Sequence, residues 1–263
     1  MAWTLWMLGY PDQALVQIQR ALTLAQERSY AYSLGAVLHL ACSFHKYQYD
    51  VQLVHSYAEA AIAFARERGF VRWLAGGLIR RGWALAQQGA VREGLVQLRE
   101  GLAMWQTHEG ELGLPYHLAS LAEVYGKAGQ PEAGLQVLAE AQVTMRQQTL
   151  RCYEAELLRL RGELLLQRDM PHLAPEDIAL LSTSLPSSVA EAEACFRGAL
   201  NVTQHQQAKS LELRAALSLS RLWRSQGKGA AARQLLGERH SWFTEGFDTQ
   251  DLRTAKALLD AWA

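Results

Sequence analysis

Apolar and small residues recur along the chain at three- and four-residue steps, broken by short polar turns. Between Trp73 and Gln88 the stripe is Leu74, Leu78, Gly82 and Leu85, which lie on one face of an α-helix. Gly89 interrupts it. Val91, Leu95, Leu98 and Leu102 then repeat the stripe as far as Gln106. No stretch reads as a strand. The stripes themselves repeat: Ala21, Ala61, Gly101 and Ala141 stand 40 residues apart, as do Leu38, Leu78, Leu118 and Leu158. Ile18, Ala58, Leu98 and Leu138 form a third column, and the small residues Cys42, Gly82, Ala122 and Gly162 a fourth. Gly9, Gly89 and Gly129 mark the turn, with Tyr49 in the second slot.

The register then skips. Ala199 follows Ala141 by 58 residues, after which Phe196 to Leu236 and Ala192 to Ala232 return to 40. An insertion is therefore expected at about 169–188. Three of the six prolines fall there, with the run Ser182-Thr183-Ser184-Leu185-Pro186-Ser187-Ser188. Pro175 to Ile178 is suited to opening a short helix inside it. Each unit reads as two helices joined by a tight turn. Such a unit cannot bury its apolar face alone and must stack on its neighbours. The expectation is all-α: one right-handed superhelical solenoid of antiparallel helix pairs over 1–263. It has six units, the first incomplete and the fifth interrupted. A capping helix at about 250–262 would start at Asp248 or Thr249.

The fourth unit reads Leu118, Leu121, Ala122, Tyr125, Gly129, Gly134, Leu138 and Ala141. The sixth reads Ala216, Leu219, Ser220, Trp223, Gly227, Ala232 and Leu236. This order resembles tetratricopeptide (TPR) repeats, departing from them at Arg239, where that family prefers a small residue. The period exceeds the family's basic length of about 34. It looks like the longer repeats of large bacterial signalling ATPases of the maltose-regulator type. The segment Glu191 to Leu259, with its run Trp242-Phe243-Thr244-Glu245-Gly246-Phe247-Asp248-Thr249, is similar to the C-terminal region of bacterial proteins that join an adenylate/guanylate cyclase or kinase domain, a predicted ATPase and a helical array. Generic repeat packing does not demand that run. The cyclase and ATPase motifs are not in this chain, so neither activity carries over. Trp3 to Leu8 reads as the end of a longer first helix, which implies a fragment of a larger regulator.

Composition narrows the classes further. The chain has 263 residues and is 49% hydrophobic, with 26 basic and 26 acidic residues and only 6 prolines. Strong helix formers abound. The zero net charge removes a whole-chain electrostatic case for nucleic acid or an anionic membrane. Cys42, Cys152 and Cys195 are widely spaced, with no C-x-x-C, as in a reducing compartment. The apolar start is short, lacks a basic region and ends at Pro11-Asp12, so it is a poor signal peptide. These features imply a cytoplasmic protein.

Catalytic patterns are sparse. Gly227-Lys228 is followed by Gly229 rather than Ser or Thr, so it is a repeat turn and not a phosphate loop. No His-Glu-x-x-His occurs, and His39 and His45 do not share a helix face for a metal. Glu154 and Glu156 point to different faces. No catalytic residue, cofactor or metal is implied. The informative surface is the inner wall formed by the first helix of each unit. Its positions include His39, Ser43 and Lys46 early, Ile79, Trp83 and Ala86 next, then Glu123, Arg159 and Glu163, and finally Arg214, Arg221 and Arg224. One reading makes this wall a groove for a helix or extended peptide. Trp83 would be the anchor, and Arg214, Arg221 and Arg224 would face acidic groups. The plainer reading packs Trp83 in the core and leaves the arginines solvated or paired with Glu154, Glu156 and Glu212.

The function expected is a non-enzymatic interaction or sensory module with a protein or peptide partner. An upstream ATPase or cyclase domain is a further partner to consider; nucleic acid and membrane are not. The alternatives are a stand-alone adaptor and a sensor holding a small effector.

Overall fold

The computed structural model describes residues 1–27, 30–109, 113–148, 151–169 and 187–262. Among these the chain is all-helical, with no strand. The helices in chain order are α1 (Ala2–Met7), α2 (Pro11–Glu27), α3 (Ala31–Tyr47), α4 (Val51–Arg68), α5 (Val71–Gln87), α6 (Val91–Glu109) and α7 (Leu114–Lys127). They continue with α8 (Pro131–Gln148), α9 (Glu154–Asp169), α10 (Ser187–Gln206), α11 (Lys209–Ser225), α12 (Gly229–His240) and α13 (Gln250–Ala261). A 3-10 turn, Arg151–Tyr153, precedes α9. Most of the predicted insertion, 170–186, lies outside the described residues, including the short helix expected at Pro175. Its last two residues, Ser187 and Ser188, already belong to α10.

Each helix packs on the next, and α3, α5, α7, α9 and α11 also touch one another in sequence. This follows from their composition. The odd helices α5, α7 and α11 are buried over most of their circumference, as at 210–220. The even helices bury one stripe and turn a polar face outward, as in α4 with Val54, Ala58, Ala61 and Ala65. The turn between α3 and α4 needs a left-handed residue, and Tyr49 supplies it at φ 57, as Gln207 does at φ 55 before α11, where several other turns use glycine. The tightest crossing is α5 on α6. A Cβ on Gly94 would stand 2.4 Å from the Gly82 carbonyl oxygen, so only glycine admits this approach.

The row of helices closes on itself. Helix α1 packs against α11, and the Ser210 hydroxyl donates to the Trp6 carbonyl at 2.5 Å. The Trp242–Thr249 run makes the second half of the closure. The Glu245 carboxylate accepts from the Asp12 and Gln13 backbone N–H groups at 3.0 and 3.1 Å, capping α2 from more than two hundred residues away. In return the Gly246 N–H donates to Asp12 Oδ2 at 3.0 Å. Gly246 has φ +72 and packs on Pro11, leaving no room for a side chain. Glu245→Gln is expected to lower stability by about 1 kcal/mol, the usual worth of a helix cap. Chemical denaturation would measure the loss, and faster amide exchange in the first turn of α2 would localise it.

Two smaller features differ from expectation. Thr249 precedes α13, but its hydroxyl donates backward to the Gly246 carbonyl and does not cap the helix. Arg239, the departure from the repeat pattern, reaches the fully buried Glu212 at 3.2 Å; a small residue there would leave that carboxylate with only Lys209, at 4.0 Å, as a cationic partner. Among the described residues no helix is long and apolar enough to cross a membrane.

Candidate functional site

Helices α7, α9, α11 and α13 turn one face each toward a common cleft of about 430 Å3. Glu123, Arg159, Glu163, Arg214 and Arg221 all line it. The heptad-like spacing explains why: 159 and 163 on α9, and 214, 218 and 221 on α11, fall on one helix face each. Asp251 of α13 and Tyr49 complete the wall.

Most of this charge is already paired. Arg159 donates to both oxygens of Glu156, at 2.8 and 2.9 Å, and reaches Glu163 at 3.4 Å. Arg214 donates to Asp251 at 2.5 Å and to the Tyr47 carbonyl at 2.5 Å, and lies 3.8 Å from Glu156. Its guanidinium also sits over the Tyr49 ring, 4.9 Å from the centroid. Ser218 donates to Glu163 at 2.6 Å. Glu156 is therefore the hub of a buried network. Burial pushes its carboxyl up, but the Arg159 guanidinium, followed by Arg214 and Lys46, outweighs this and holds it at about 2.

Trp83 does not open onto the cleft. It is fully buried, and its indole N–H donates to Glu123 at 2.8 Å. Glu123 also accepts from Gln87 at 3.2 Å and meets the Lys46 ammonium at 3.6 Å. The indole thus positions a carboxylate and offers no surface to a partner. Arg224 does not line the cleft either; it lies over the Trp262 ring at 5.9 Å. Arg214 and Arg159 are committed to internal carboxylates; the plainer reading names Glu156 for Arg214, at 3.8 Å, but neither its shorter pair with Asp251 nor the pair of Arg159 with Glu156. Arg221 is different. It is exposed on the cleft wall and makes no ion pair among the described residues.

Sequence reasoning missed Asp251, Tyr49 and Ser218. Asp251 is visible beforehand only as a first-turn acid of a capping helix, and nothing local says that it meets Arg214, 37 residues earlier. Ser218 sits one turn after Arg214 and one before Arg221, so extending that arginine face would have found it. Among the described residues no group of three or more His, Cys, Asp or Glu side chains is placed to hold a metal ion. The three cysteines are free thiols. Compared with known proteins, the chain matches no family model, and no curated protein is significantly similar to it in sequence.

Proposed function

We propose that this chain is a non-enzymatic helical-repeat module that presents the cleft to a protein or peptide partner. In this reading it is a TPR-like right-handed solenoid, the C-terminal part of a bacterial signalling ATPase or cyclase regulator working in the cytoplasm. The observation that carries it is the convergence of three first-in-pair helices, α7, α9 and α11, with the last helix α13 on one cleft. Hydrogen bonds between residues 36 to 41 apart, such as Trp83 with Glu123 and Lys127 with Gln87, fit a repeating architecture. The paired charges form a rigid floor, and Arg221, with the exposed Lys127 that bonds only to Gln87 among the described residues, supplies cations for an acidic group on the partner.

The test is Arg221→Glu. The site is exposed, so the fold should be unaffected. Partner capture from lysate of the native host is expected to fall by about tenfold, the effect of turning one interfacial charge attraction into repulsion. Unchanged capture with unchanged helicity would remove the cleft as the docking surface.

A further inference from the structure

A second cavity of about 380 Å3 lies between α1, α3, α5, α6, α7 and the 3-10 turn before α9. Its character is unlike that of the cleft. Arg72 and Arg80 line it, and no aspartate or glutamate does among the described residues. The walls are aromatic: Trp3, Trp105, Tyr116 and Tyr153, with the His39 ring stacked against Trp105 at 5.8 Å.

Arg80 is the centre of the site. It is only 2% exposed, yet its partners are all uncharged. Nε and Nη2 donate to the Ser43 hydroxyl at 3.0 and 2.6 Å, Nη1 donates to the Gly76 carbonyl at 2.9 Å, and Nη2 meets His39 Nε2 at 3.0 Å. Nη1 makes one hydrogen bond among the described residues, which leaves its second hydrogen for another acceptor. A buried guanidinium without a counter-charge is costly. Nor is it the only group left over. His117, 2% exposed, has no hydrogen-bond partner for Nδ1, and the buried Tyr116 hydroxyl has none either. Both side chains line this cavity. Buried polar atoms are nearly always satisfied, and although others occur elsewhere in the molecule, His117 Nδ1 and the Tyr116 hydroxyl stand beside an uncompensated guanidinium in one cavity, which suits a polar ligand. Burial, followed by the charges of Arg80 and its neighbours, holds His39 and His117 well below the usual histidine range. Both are therefore neutral, and neither competes with Arg80 for an anion.

We propose that this cavity binds a small aromatic carboxylate. The carboxylate supplies the single negative charge that Arg80 lacks and accepts from its free Nη1 hydrogen and from the Tyr116 hydroxyl. The ring lies among Trp105, Tyr116 and Tyr153, and the volume suits one small ligand. This site is separate from the cleft, and stands whether or not the cleft docks a partner. A gap of about 10 Å3, walled by Tyr47, Tyr116 and Lys46 among others, lies between the two.

Isothermal titration of the intact chain with indole-3-acetate, benzoate and 4-hydroxyphenylacetate tests it. At least one should bind, and its neutral amide and plain acetate should each bind about tenfold more weakly or worse. If none of the three binds, or if the amide binds equally well, the proposal is overturned. Location is tested at the rim. Leu40 lines the cavity but is 57% exposed, so Leu40→Glu should fold normally while placing a fixed negative charge at the mouth. It should weaken carboxylate binding about tenfold, with Leu40→Gln close to wild type. Equal affinity in Leu40→Glu would place the ligand elsewhere and overturn the assignment.

Discussion

Replacing Gly94 by alanine is expected to destabilise the protein by about 2–4 kcal/mol, although alanine is the better helix former. The new Cβ would lie 2.4 Å from the Gly82 carbonyl oxygen and 2.9 Å from the Ala86 backbone nitrogen. Both atoms belong to the backbone of α5, so no side chain can rotate away. Helices α5 and α6 must separate, and Trp83, Leu98 and the rest of that fully buried layer lose contacts with them. Gly237 in α12 provides the control. A Cβ there meets only Leu259 Cδ2 at 3.8 Å, so Gly237→Ala should be neutral or stabilising by up to about 1 kcal/mol. Urea denaturation of the two variants decides the matter. Equal effects would mean that the α5–α6 approach is not what the glycines serve.

Glu156→Gln is expected to cost about 3 kcal/mol at neutral pH, because it leaves Arg159 and Arg214 short of a shared counter-charge in a buried setting. The pH dependence is distinctive. The carboxyl sits at about 2 in the folded chain, below its unfolded value of about 4.3. A lowered folded value means that the stabilisation is fully present above the unfolded value. It is then lost as pH falls from about 4.3 through about 2. The gap between wild type and variant should therefore be constant above about pH 5 and close across that acid window. Denaturation curves over a pH series would show it. A gap that persists at the acid end would mean that the charge of Glu156 is not what holds the two arginines.

Much of the helical plan is legible in the chain because its causes are local. Stripes at three- and four-residue spacing, and small residues at 82 and 94, describe faces that a helix creates by itself. The first helices' facing positions are legible only in part: Glu123, Arg159, Glu163, Arg214 and Arg221 line the cleft, whereas Trp83 and Arg224 do not. Placing Ile79, Trp83 and Ala86 on the inner wall misses Arg80 and Gln87, which with Trp83 form the actual face, as their bonds to Ser43 and Glu123 show. Arg80 could have been noticed as a charge inside an otherwise apolar helix. Trp83 could not have been placed by pattern alone, since an indole at an inner position suits both a ligand wall and a buried donor to Glu123. The pairing of Arg214 with Asp251, and the capping of α2 by Glu245, join elements whose proximity depends on how the whole row curves. No short-range spacing encodes that curvature.

The contact between α1 and α11 and the clasp at Glu245 alter how the molecule comes apart. An open stack of helix pairs has two free ends, and each end unit loses only one neighbour's support when it melts. Here the outermost pairs support each other, so loosening either one exposes Trp6 and withdraws the cap from α2. Fraying from an end is replaced by a concerted opening of the seam. The resistance of the chain to fraying from an end thus depends on that junction as well as on the contacts within its units.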